Sequence, residues 1–180
     1  MSKQVMIMSF DSESKAFQAF SEIKILHSKG IIKGEQMAVL KHTPNHLLEP
    51  IDFIDFTGKD QSGKGSLIGT VIGILAGPLG VLLGWFTGSV VGSFRDVKEI
   101  KGALSIFEET INLIPENTIG AILIATEEKE GHVNDLIIDK LDGKIVRIDQ
   151  ETVEEDISMA VEAGKEAKKG ANDKWYNRNK

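Results

Sequence analysis

Gln4 to Ser9, with an apolar run from Val5 to Met8, is apolar enough for a strand. Asp11 or Ser12 then offers an N-cap for a helix carrying Ala16, Phe17, Phe20, Ile23 and Leu26 at helical spacing, which Gly30 ends. Glu35 to Lys41 reads as a second strand and KHTPNH as a loop. Ile51 to Phe56 reads as a short strand, with Ile51, Phe53 and Asp55 to one side and Asp52, Ile54 and Phe56 to the other, so the chain opens β-α-β-β.

A second helical stripe, Ile100, Leu104, Phe107, Ile111 and Ile114, spans Val97 to Ile114 and is stopped by Pro115. Thr118 to Ala125, TIGAILIA, has the continuous apolar character of a strand buried on both faces. His132 to Leu141 suits a short helix and KIVRID a last strand, so the chain closes β-α-β. Two such halves predict an α+β fold: ferredoxin-like β-α-β repeats in a four-stranded or larger antiparallel or mixed sheet, one domain over residues 1–150. A C-terminal helix is expected over 151–173. It opens on the capping-box pair Thr152 and Glu155 and docks by its first half through Val153, Ile157, Ala160 and Val161, leaving 174–180 as a mobile tail.

Between the halves lies an insert, residues 65–94, without a charged residue. Its glycines fall four apart at Gly69, Gly73 and Gly77, then at Gly80, Gly84, Gly88 and Gly92. Residues four apart stack on one side of a helix, so each run draws a groove without side chains into which another backbone can come close. Interior glycines cost a helix up to about 1 kcal/mol each, roughly 5 kcal/mol for the six apart from Gly77, which only close helix packing or burial in lipid can offset. Gly77-Pro78 is a stop and a restart, so a helical hairpin is expected. Its arms, about 12 and 16 residues, would reach roughly 18 and 24 Å, short of a ~30 Å hydrocarbon core. A single crossing would also separate two halves that share one sheet. Trp85 and Phe86 are either core packing or interfacial aromatics in contact with membrane.

The opening VMIMSFDSESKAFQAF, the block GTVIGILAGPLGVLLGWFTGSVVGSFRD, and the helix leading into ENTIGAILIATEE together resemble the uncharacterised prokaryotic proteins grouped as domain of unknown function 1269. Those proteins are often labelled predicted membrane proteins. The resemblance runs from Val5 to about Ile148, and the glycine-rich block ending in a charged pair is its most specific part. It implies a related α+β architecture and a membrane or stress link, and it supplies no catalytic residues.

With 21 Lys and Arg against 27 Asp and Glu, the net charge of −6 argues against a nucleic-acid partner. No cysteine is present, which excludes disulfides, thiolate metal sites and a thiol nucleophile. MSKQVMIMSF runs straight into DSESK and does not read as a signal peptide, so residence on the cytoplasmic side is expected, with or without membrane association.

Gly58-Lys-Asp-Gln-Ser-Gly63-Lys64-Gly65-Ser66 nearly spells a phosphate-binding P-loop between a strand and a helix, making Gly58, Gly63 and Lys64 phosphate-binding candidates. The motif fails at Gly65, where Ser or Thr should hold magnesium. His42 and His46 are four apart, but Pro44 between them argues for a loop and against a metal site. His27 near a helix end is expected as a cation favoured by the helix dipole, and Glu127, Glu128 and Glu130 as a solvated turn. Lys59 and Lys64 before the insert, with Arg95, Lys98 and Lys101 after it, suit either a solvated face or anionic headgroups.

No nucleophile, base and orienting group can be assembled, so no enzyme, metal or cofactor is expected. The leading expectation is an association protein whose glycine-zipper hairpin pairs with its own copy or touches membrane lipid. The alternative is a small-molecule or nucleotide-binding module using Gly58 to Ser66.

Overall fold

The computed structural model describes residues 2–44, 48–59, 66–77, 105–129 and 131–178. Five strands, β1 (Gln4–Phe10), β2 (Ile32–His42), β3 (Leu48–Asp55), β4 (Ile119–Glu127) and β5 (Lys144–Asp149), form one sheet in the order β3-β2-β4-β1-β5. Every pairing in it is antiparallel. The order β2-β4-β1-β5 is that of two interlocked split β-α-β units, the ferredoxin-like arrangement, and β3 widens the sheet as the hairpin partner of β2. The helices are α1 (Glu13–Ser28), α2 (Leu67–Ala76), α3 (Ser105–Leu113), α4 (Gly131–Asn134), which continues as a π-helical turn (Asp135–Lys140), and α5 (Gln150–Arg178).

Strand alternation sends Val5 and Ile7 to one face of the sheet and Met6, Met8 and Phe10 to the other. Against the second face pack Ala16, Ala19, Phe20 and Ile23 of α1, with Val133, Leu136 and Ile137 from the β4–β5 connection. Against the first pack α2, α3 and the start of α5 through Ile68, Val71, Leu75, Ile106, Phe107, Val153 and Ala160. A sheet covered on both faces has no water-facing side, which is why β4 is buried without interruption from Ile119 to Ala125.

The helix starts and stops follow from local chemistry. Ser12 caps α1 by accepting from the Lys15 N–H, and Gly30 takes a positive φ of 71° just beyond its end. β2 begins at Ile32, upstream of the expected Glu35, because a bulge between Gly34 and Gln36 absorbs the break in alternation. Part of the expected helix from Val97 lies outside the described residues, and within them α3 starts at Ser105. The helix expected over His132–Leu141 is largely a π turn, closed by Leu141 N–H donating to Leu136 C=O at 3.1 Å.

Two expectations for the C-terminus are corrected. α5 begins at Gln150, placing Thr152 inside the helix rather than at its cap, and it runs on to Arg178 through residues expected to be a mobile tail. Lys, Glu and Ala are good helix formers whether or not they are buried, so polarity alone does not end a helix.

Candidate functional site on helix α2

Ser66 opens α2 from a buried position. Its Oγ accepts from the Gly69 N–H at 2.9 Å, and its carbonyl accepts from the Thr70 N–H at 2.9 Å. From there ten residues, LIGTVIGILA, divide sharply between two faces. Ile68, Val71, Ile72, Ile74 and Leu75 are buried in the core on the sheet. Beyond the half-buried Leu67 at its start, Gly69, Thr70, Ala76 and Gly77 are half-buried and Gly73 is exposed, so from Gly69 onward the outward face carries only small residues. A Cβ built on Gly73 would meet no atom within 4 Å. The structure therefore brings Gly69, Gly73 and Gly77 to one side of α2, and the first arm of the insert is part of the body's core rather than an appendage.

Gly77 ends the helix in an extended conformation, φ −88°, rather than the left-handed one glycine often supplies. Glycine is required there for another reason: a Cβ would lie 2.5 Å from the Gly73 carbonyl oxygen. Gly80, Gly84, Gly88, Gly92, Trp85 and Phe86 lie outside the described residues, as do Gly63 and Lys64.

Gly58, the remaining phosphate-binding candidate, is exposed with φ +70°. Its surroundings form a self-contained turn. Asp55 Oδ1 accepts from Thr57 N–H at 2.7 Å and from Thr57 Oγ1–H at 2.6 Å, and Asp55 C=O accepts from Gly58 N–H at 3.3 Å. With Ser66 capping its own helix and β3 at the edge of an antiparallel sheet, this region differs from the parallel-strand setting of a P-loop.

Comparison with family models, with curated proteins and with solved structures finds no match in any of the three. Geometry therefore carries the functional argument. Among the described residues no helix is long and apolar enough to cross a membrane, and no group of three or more His, Cys, Asp or Glu could hold a metal ion.

Three polar residues make contacts that the sequence does not show. His42 ends β2 rather than lying in a loop, is buried, and its Nδ1 lies 2.6 Å from the Ile114 carbonyl; His46 is outside the described residues. His27 lies in the last turn of α1 as expected, and there its Nδ1 accepts from the Gly34 N–H at 3.1 Å while its ring packs, tilted, 4.5 Å from Phe56, joining α1 to β2. Glu127 is not solvated: its side chain is 2% exposed, its Oε2 lies 3.0 Å from Arg147 Nη2, and its Oε1 accepts from the Val133 N–H at 3.2 Å. Glu128 is exposed and Glu130 is outside the described residues.

Asp156 is the polar residue that sequence reading missed. It is 1% exposed, and its Oδ2 accepts from Ser105 Oγ at 3.0 Å and from the Ile106 N–H at 2.9 Å. A carboxylate of α5 thus accepts from the first two described residues of α3. Burial pushes its pKa above the usual carboxylate value and the neighbouring Glu155 adds to the rise, while the two donors oppose it. The signal was its spacing, three after Val153 and four before Ala160, which puts a carboxylate on the helix's apolar stripe.

Proposed function

We propose that this protein is a non-enzymatic association module, and that the small-residue face of α2 is where a helix of another copy of the chain packs. The division of α2 carries this reading: every branched aliphatic residue from Ile68 to Leu75 is spent on the sheet, and a Gly69-Gly73-Gly77 groove is left outward. A helix that only needed to cover the core would gain by carrying alanine at Gly73, where nothing obstructs a Cβ. Retaining glycine at that helical cost is accounted for by a backbone approaching the groove.

Protomer pairing is favoured over lipid for α2 itself. Insertion requires bulky apolar side chains facing outward, and those of α2 face inward. The resemblance of the glycine-rich block to domain of unknown function 1269 proteins is the reason to include lipid in the same test.

That test is light scattering of the full chain and of Gly73→Leu, with flotation on anionic and neutral vesicles alongside. The expected result is an oligomer for the natural chain, a monomer of unchanged fold for Gly73→Leu, and no flotation of either. A monomeric natural chain, or the same oligomer for both, would refute the proposal. Flotation lost in the variant would move the contact from protein to lipid.

A further inference from the structure

α5 touches both α2, the first arm of the glycine-rich insert, and α3, which follows the insert in the chain. The three share one core cluster on the first face of the sheet, where Val153 and Ala160 of α5 lie among Ile68, Val71, Leu75, Ile106 and Phe107. Where α3 begins among the described residues, Ser105 and Ile106 meet Asp156 of α5.

A buried N–H without an acceptor is costly, and a buried carboxylate without donors is costlier still. Asp156 and the Ser105–Ile106 stretch of α3 each satisfy the other. No cation pairs with Asp156 among the described residues: what faces it is the Ser105 hydroxyl and the Ile106 N–H from α3, and Glu155 from its own helix. If α5 lifts, three things change together: the Ile106 N–H of α3 loses its acceptor, Asp156 regains water, and the cluster shared with α2 loses Val153 and Ala160. Apolar contacts alone would loosen gradually, whereas this shared polar contact makes the change cooperative.

We infer that α5 is a strap with Asp156 as its fastener, holding α2 and α3 to the sheet as one unit, so that undocking of the C-terminal helix loosens both helices at once. The inference concerns how the body holds these helices and stands apart from what the outward face of α2 binds.

Hydrogen exchange of the full chain, read by mass spectrometry for the natural protein, Asp156→Ala and the exposed-neighbour control Glu155→Gln, tests it. In Asp156→Ala, exchange should rise about tenfold or more over 150–164, 105–113 and 67–76 together, with α1 and β4 keeping their protection. Glu155→Gln should match the natural chain. Asp156→Asn keeps one oxygen acceptor for the Ile106 N–H and should reproduce the pattern at smaller amplitude, a safeguard if the alanine variant fails to fold. A rise confined to the first turn of α3, or to α5 alone, would overturn the strap; so would a uniform rise over all elements in Asp156→Asn.

Discussion

Two positions with the same one-letter code in the sequence behave oppositely once the backbone is known. Gly73 faces open space and Gly77 faces the Gly73 carbonyl oxygen at 2.5 Å. Gly73→Ala should therefore raise the stability of a dissociated protomer by up to about 1 kcal/mol in urea titration, the helix propensity recovered. A loss measured under dissociating conditions would mean that the site is not open within the protomer. Asp156 supplies a pH signature at the same scale. Its folded pKa is raised, chiefly by burial, so over the window from the ordinary value of 3.8 up to the raised one the native state holds more proton than the unfolded chain. Stability from this group is then present below the window and lost as pH rises through it. Asp11 and Glu22 act in the opposite sense. Lys15 lowers the first, Lys140 lowers the second, and their contributions fade as pH falls. The difference between the natural chain and Asp156→Asn in chemical denaturation at several pH values cancels the other carboxylates. Relative to the variant, the natural chain should become less stable as pH climbs through the window; a flat difference would refute the assignment.

Among elements, the end of β4, the middle of β5 and α4 are joined by one buried ion pair. Arg147 Nη2 lies 3.0 Å from Glu127, Arg147 Nη1 donates to Asn134 Oδ1 at 2.8 Å, and the side chains are 14% and 2% exposed. Breaking such a pair leaves a charge in the interior, so Arg147→Ala should cost about 3–5 kcal/mol in urea unfolding, whereas Glu127→Gln with Arg147→Met should cost much less. Equal losses in the two would show that packing, not charge, is what these residues contribute. The pair also explains why a Glu in an acidic run was misread as solvated. Sequence shows the acids at 127, 128 and 130 but not that Arg147 reaches the first of them across the β1 strand lying between β4 and β5. Helix ends are legible where caps are local, as at Ser12 and Gly30, whereas the acceptor that Asp156 offers to Ile106 N–H comes from a helix some fifty residues later.

For the molecule as a whole, an association module and a phosphate-binding module make different demands. If Gly58 to Ser66 cradled phosphate, a nucleotide at 100 times its dissociation constant would add about 2.7 kcal/mol of stability. Ser66 Oγ is already engaged by Gly69, and Asp55 and Thr57 close the turn at Gly58, so no shift is expected with magnesium–ATP or inorganic phosphate in a thermal melt. A reproducible rise would reverse the choice. The α+β architecture, the position of each strand to within a few residues, and the four-residue glycine spacing were all legible in the sequence, because periodicity and local capping depend on neighbours along the chain. That spacing by itself placed Gly69, Gly73 and Gly77 on one helix face. Only the tertiary structure decided which way that face points, that α2 belongs to the core, that Asp156 fastens α3, and that Glu127 is buried. Each of these depends on which elements meet, and contacts across about fifty residues or across an intervening strand leave no period in a one-dimensional pattern.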